Sequence, residues 1–110
     1  MLKPGNISLT LSFFVTVFFS SAAIADSLSN RQLELKHLIK HDCGSCHGMT
    51  LNGGLGPSLQ THSLKDKPDE FLFITIKEGR PGTPMPPWKN LLSDDDINMI
   101  IKLLRKGNSK

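Results

Sequence analysis

Cys43, Cys46 and His47 stand together in "CGSCH", which contains the chain's only 2 cysteines. C-x-x-C-H is the pattern of covalent c-type haem attachment. The spacing follows from the chemistry: two thiols add to the two vinyl groups of a haem, and the imidazole of the next residue then lies under the iron. Competing readings account for fewer of these residues. A dithiol oxidant carries its C-x-x-C at the head of a helix in a βαβ fold, and no strand pattern precedes Cys43. A structural zinc site needs four ligands, and there is no second cysteine pair. A plain disulfide leaves His47 without a role. One motif implies one haem c, with Cys43 and Cys46 as thioether anchors and His47 as the proximal iron ligand.

The other face of such a haem needs its own ligand. Met85 lies in "GTPMPPW", with prolines on both sides. Proline fixes φ and removes chain freedom, so a normally adaptable thioether is held on a stiffened loop. Met/His ligation is the electron-transfer arrangement, and Met85 is the predicted distal ligand. His62 is the rival and would give a bis-histidine haem. Met49 is too near His47 to reach the far face, and Met99 falls within a helix. His37 and His41 read as exposed side chains. A metal-bound histidine usually donates its second ring N–H to a carbonyl. Pro57, in "GLGPSL", is the candidate acceptor, and Leu59 and Trp88 are candidate haem-packing residues. An ordinary turn and ordinary core positions are the alternative readings of these three.

Three helical segments must position these groups. Leu35, Leu38 and Ile39 share one stripe, which predicts a helix over Ser29–His41. A second helix is expected from Pro68 at its first position to Gly79 as its stop, with Phe71, Ile74 and Thr75 on one face. A third begins at Ser93. Asp96 completes a capping-box-like pair, Leu92 and Ile97 form a hydrophobic staple, and Ile97, Ile100, Ile101 and Leu104 make the stripe that ends at Gly107. The acidic run 94–96 reads as charge at a helix N-terminus rather than a metal site. Two irregular stretches, 43–66 and 79–91, are long for so small a domain, and such loops are usually functional.

Residues 1–25 read as a cleaved secretory signal peptide: Lys3, an apolar run over 7–19, and an A-x-A site at Ala23-Ile24-Ala25. An uncleaved anchor is the alternative, since 4–25 carries no charge. Residues 26–110 then form one small domain, at a size where a bound cofactor often completes the core. Removing Lys3 takes one charge from the whole-chain net of +3, a mild balance that does not suggest nucleic acid. No second apolar run is long enough to span a membrane. A soluble monomer in an oxidising, extracytoplasmic compartment is expected. Lys65, Lys77, Arg80 and Lys89 are candidates to ring an exposed haem edge and steer an acidic partner, although interleaved Asp66, Glu70 and Glu78 fit a plain solvated surface equally well.

Signal peptide, helix, "CGSCH", "GPSL", helix, "PMPPW" and terminal helix resemble a class I monohaem cytochrome c over roughly Leu33 to Leu104. "CGSCHGMTLNGGLGPSL" followed by "GRPGTPMPPWKNLLS" is similar to the small NirC-type cytochromes of nitrite-reductase gene clusters in denitrifying bacteria. The resemblance implies a small all-α fold with three main helices around one covalently bound haem. It places the iron ligands at His47 and Met85 and the supporting proline at Pro57. It also implies a periplasmic electron carrier, not an enzyme, whose partner is a nitrite reductase carrying haem c and haem d. A role as an accessory factor in maturing that reductase is the alternative. The family's crossing of terminal helices, glycine against aromatic, is not visible in Ser29–His41 or Ile97–Arg105.

Overall fold

The computed structural model describes Leu2, Pro4, Gly5 and residues 20–107, with side chains from Ala23 onward. Most of the predicted signal peptide, including the apolar run over 7–19, lies outside the described residues. The chain divides into two units, 1–30 and 31–110. The described part of the first is chiefly the beginning of helix α1, Ser20–Leu38, where Ile24 and Leu28 are exposed. Among the described residues no helix is long and apolar enough to cross a membrane.

The second unit is helical throughout its regular structure. After α1 come a π-helical turn, Ile39–Cys43, and three short to medium helices: α2 (Gly44–His47), α3 (Thr61–Leu64) and α4 (Asp69–Glu78). The last is α5, Asp94–Arg105. The first helical segment is therefore longer than predicted and does not stop before "CGSCH". The Gly44 amide donates back to the Ile39 carbonyl, and the Ser45 hydroxyl donates to the Asp42 carbonyl at 2.7 Å. The helix thus widens by one residue and runs on through both cysteines. It ends at Gly48, whose φ of 90° suits a residue without Cβ.

The core is built on α5. Ile97, Ile100, Ile101, Leu103 and Leu104 are all buried, together with Leu35 and Ile39 from α1 and the π turn. Leu51, Leu64, Leu72 and Leu92 complete it. The predicted capping box is present: the Asp96 amide donates to Ser93 Oγ at 3.1 Å, and the Ser93 amide donates to Asp96 Oδ2 at 3.0 Å. Asp96 also receives Arg31 of α1 in a two-pronged contact, Nε to Oδ1 at 2.9 Å and Nη2 to Oδ2 at 2.8 Å. This pair ties α1 to the start of α5 and holds the Asp96 carboxyl well below the usual carboxylate range. At the other end of α5, Arg105 donates to the Leu64 and Lys67 carbonyls and to Asp69. One side chain thus fastens the end of α3 and the start of α4 to α5.

In α4 the face shared by Phe71, Ile74 and Thr75 is not the one that packs into the core. Leu72 is 8% exposed, whereas Phe71 is 48% and Ile74 52% exposed. Phe73 and Ile76, partly buried, share the core side with Leu72. Pro68 sits one place earlier than predicted, as the N-cap with extended ψ, and Gly79 ends the helix at φ 68°.

Candidate haem site

The end of α2 creates the first half of the site. The last carbonyls of a helix lack intrahelical partners. Here the Gly56 amide donates to the Cys46 carbonyl at 2.7 Å and the Gly53 amide to the His47 carbonyl at 2.8 Å. The loop after α2 is thereby folded back under its own helix. It brings the Pro57 carbonyl to 2.6 Å from His47 Nδ1. A carbonyl only accepts, so Nδ1 carries a proton, and in the neutral ring Nε2 is then the nitrogen with the free lone pair. Gly56 lies flat against the imidazole: a Cβ added there would stand 2.7 Å from Cε1 and 2.8 Å from Nδ1. His47 itself is 9% exposed. Leu51 turns this loop in a left-handed conformation, φ 60°, and its carbonyl receives the Leu59 amide at 2.9 Å.

The end of α4 creates the second half. The Ile76 carbonyl receives the Trp88 amide at 3.1 Å, and the Lys77 carbonyl receives Lys89 at 3.3 Å. Between these anchors the chain turns out and back, and the Arg80 amide donates to the Met85 carbonyl at 3.2 Å. Thr83 braces the turn through its hydroxyl, 2.6 Å from the Arg80 carbonyl. Gly79 is in close contact with the returning strand of the loop: its Cβ would be 2.6 Å from the Pro86 carbonyl carbon.

The two halves border one cavity of about 320 Å³, within the range of a cofactor pocket. Cys43, Cys46, His47, Pro57 and Leu59 line it, and so do Met85 and Trp88. All seven residues singled out from the sequence are thus brought together. The wall also includes Leu72, Ile76, Ile100 and Leu104, so the core helices and the cavity share residues. Phe71 and Thr75, which share the face noted in the sequence, border it too, which gives the half-exposed Phe71 a place. Sequence reading missed Gly56 as a site residue and took Gly79 only as a helix stop, while Arg80, one of the four cations considered for the haem edge, does border the cavity. The signal for the glycines was their position beside a ligand candidate, but nothing in a sequence says what approaches them. His62 does not line this cavity; it borders a separate, smaller one beside Thr61 and Gly107.

Both cysteines are free thiols. Burial, with a further push from the Asp42 charge, raises the Cys43 thiol to about 11. A dithiol oxidant needs the opposite, a thiol made acidic. Two thiols, an imidazole with Nε2 available and a thioether around an apolar cavity are instead the donor set of a covalently attached haem. Fold and site together define a c-type cytochrome.

Residues 30–104 match the family described as cytochrome c oxidase, cbb3-type, subunit III. Over 107 residues the chain is 52% identical to cytochrome c55X of Pseudomonas aeruginosa (strain PAO1), covering 96% of this chain and 90% of that one. It is 42% identical over 106 residues to cytochrome c55X of Stutzerimonas stutzeri, covering 96% and 92%. A solved structure of the c-type cytochrome NirC superposes with a TM-score of 0.71 at 51% identity, covering 74% of this chain and 95% of that one. The chain belongs to the small c-type cytochromes of the c55X and NirC type. It is an electron-transfer protein whose cofactor is covalently bound haem c.

Proposed function

We propose that the chain is a periplasmic single-electron carrier serving a haem c/haem d nitrite reductase. In this reading Cys43 and Cys46 form the thioethers, and His47 and Met85 ligate the iron. The observation that carries it is the shared cavity: His47, with Nε2 available, and Met85, on a braced loop, border the same apolar space. When bound, the haem supplies a one-electron ferric/ferrous couple. The Pro57 carbonyl fixes the His47 ring and raises its basicity. The Met85 thioether favours the ferrous state and so a higher potential. Leu59 and Trp88 supply apolar wall that keeps water from the cofactor. Export by a signal peptide ending at Ala25 agrees with thioether attachment outside the cytoplasm. In this reading the carrier is no enzyme.

Of the four cations considered for steering, Lys77 pairs with Asp94 and Lys89 with Glu78. Arg80, which borders the cavity, and Lys65 carry the remaining attraction for an acidic partner surface. The test is stopped-flow mixing of the reduced protein with oxidised haem c/haem d nitrite reductase at several ionic strengths. Fast oxidation that slows modestly with salt is expected. Absence of electron transfer, together with a reductase lacking haem d when the gene is deleted, would replace the carrier by the maturation role.

A further inference from the structure

Two of the chain's 4 histidines remain after the cavities are described. His37 is in the last turn of α1 and His41 in the π turn, one helical turn further on, and both are exposed. Their rings lie 5.8 Å apart between centroids and within 14° of parallel. Neither belongs to the core, and neither borders the haem cavity or the smaller one.

We infer that His37 and His41 form a two-imidazole site for a divalent transition-metal ion, with Cu²⁺ held more tightly than Zn²⁺. Histidines four residues apart on one helix face are the spacing by which helices chelate zinc. A metal–nitrogen bond is about 2.0–2.1 Å, and the ring centre lies about 1.1 Å beyond the nitrogen, so a tetrahedral angle at the metal places two ring centres about 5.1 Å apart. The observed 5.8 Å is close to that span, but the rings are stacked, and since imidazole lone pairs lie in the ring plane both exposed side chains must turn about χ1 and χ2 to aim one nitrogen each at a shared ion. Imidazole suits copper, zinc and nickel alike, and the order of affinities for one such site rises to copper.

Among the described residues no group of three or more histidine, cysteine or acidic side chains converges, so water or another molecule completes the coordination shell. Half the ligands of a structural zinc site give roughly the square root of its binding constant, a Kd on the order of 1–100 μM.

The experiment uses the holoprotein without a polyhistidine tag, titrated with CuSO₄ and with ZnCl₂ in a weakly coordinating buffer near neutral pH. Calorimetry should show one equivalent in the micromolar range with Cu²⁺ tighter, and electron paramagnetic resonance should show nitrogen ligation of the copper. His37→Ala and His41→Ala should each weaken binding at least tenfold, and His62→Ala should not change it. An unchanged haem spectrum and thermal midpoint in each variant establishes that the fold is intact. Absence of micromolar binding, equal binding by the His37→Ala/His41→Ala double variant, or loss on His62→Ala would each overturn the site and leave an adventitious ion only.

Discussion

Gly79 and Gly82 flank the same turn and differ in one respect that a pair of substitutions isolates. Both have positive φ, 68° and 78°. A Cβ at Gly79 would lie 2.6 Å from the Pro86 carbonyl carbon and 2.8 Å from the Met85 carbonyl oxygen, whereas at Gly82 it would meet nothing within 4 Å. Gly82→Ala therefore carries backbone strain alone, about 1–2 kcal/mol. At Gly79, φ 68° with ψ −167° is territory that belongs to glycine, at about 1–3 kcal/mol. Overpacking against backbone that cannot step aside adds about 1–3 kcal/mol more. Gly79→Ala is then expected to cost about 2–6 kcal/mol, and a domain of this size loses about 4–8 °C of thermal midpoint for each. The excess should also appear in the haem spectrum, because the loop would have to move and Met85 moves with it. The ferric charge-transfer band of sulfur ligation should weaken in Gly79→Ala and persist in Gly82→Ala. The assay is thermal unfolding of both holoproteins followed by far-red absorbance. Equal midpoints, within about 1 kcal/mol, and equal bands would refute the claim that the missing Cβ at Gly79 sets the position of the Met85 loop.

Three further outcomes are expected. Met85→Ala should abolish the far-red band and lower the reduction potential, while His62→Ala, outside the cavity, should leave both unchanged in spectroelectrochemical titration. Ile101, 2% exposed, is part of the buried core, so Ile101→Ala should lower holoprotein stability by about 2–4 kcal/mol in denaturant unfolding. Asp96 is held below its unfolded range chiefly by Arg31, so its contribution is complete above about pH 4 and is lost as pH falls further; Arg31→Gln should cost about 0.5–1 kcal/mol at neutral pH, and thermal midpoints of the two proteins should converge as the medium is acidified.

What could be read in the sequence was whatever depends on neighbours along the chain. The start of α5 is a local device, Ser93 and Asp96 exchanging hydrogen bonds while Leu92 and Ile97 clasp across them, and its pattern is complete within six residues. Its end at Gly107 is equally local. The passage through Cys43–His47 was misread as irregular because "CGSC" has poor helix formers, yet a helix already nucleated in α1 needs little to continue. Only one face of α4 was picked out from the sequence, whereas the helix has two apolar neighbours, the core beside Leu72 and the cavity beside Phe71 and Thr75. A single-stripe pattern cannot divide one helix between them. The short α3 carries no period at all. It is held by tertiary partners such as Arg105, whose reach across to the Leu64 carbonyl no local pattern announces.

The two proposed iron ligands are positioned by the same physics, used twice. In each case a helix ends, its orphan carbonyls are taken by amides of the following loop, and the loop is drawn back against the helix. After α2 the amides are those of Gly53 and Gly56; after α4 they are those of Trp88 and Lys89. In each case a glycine stands where a side chain would collide, Gly56 under the His47 ring and Gly79 against Met85–Pro87. Neither ligand thus depends on its own side-chain rotamer alone, because the backbone behind it is fixed by hydrogen bonds at both ends. That is the property an electron carrier requires. If oxidation or reduction released a ligand, each transfer would include a coordination change, and exchange would slow. With His47 and Met85 as the ligands, rigid placement of both side chains from the backbone would keep one coordination geometry for both charges on the iron, which would make these loops, rather than the helices that carry them, the part of the molecule most specialised for its task.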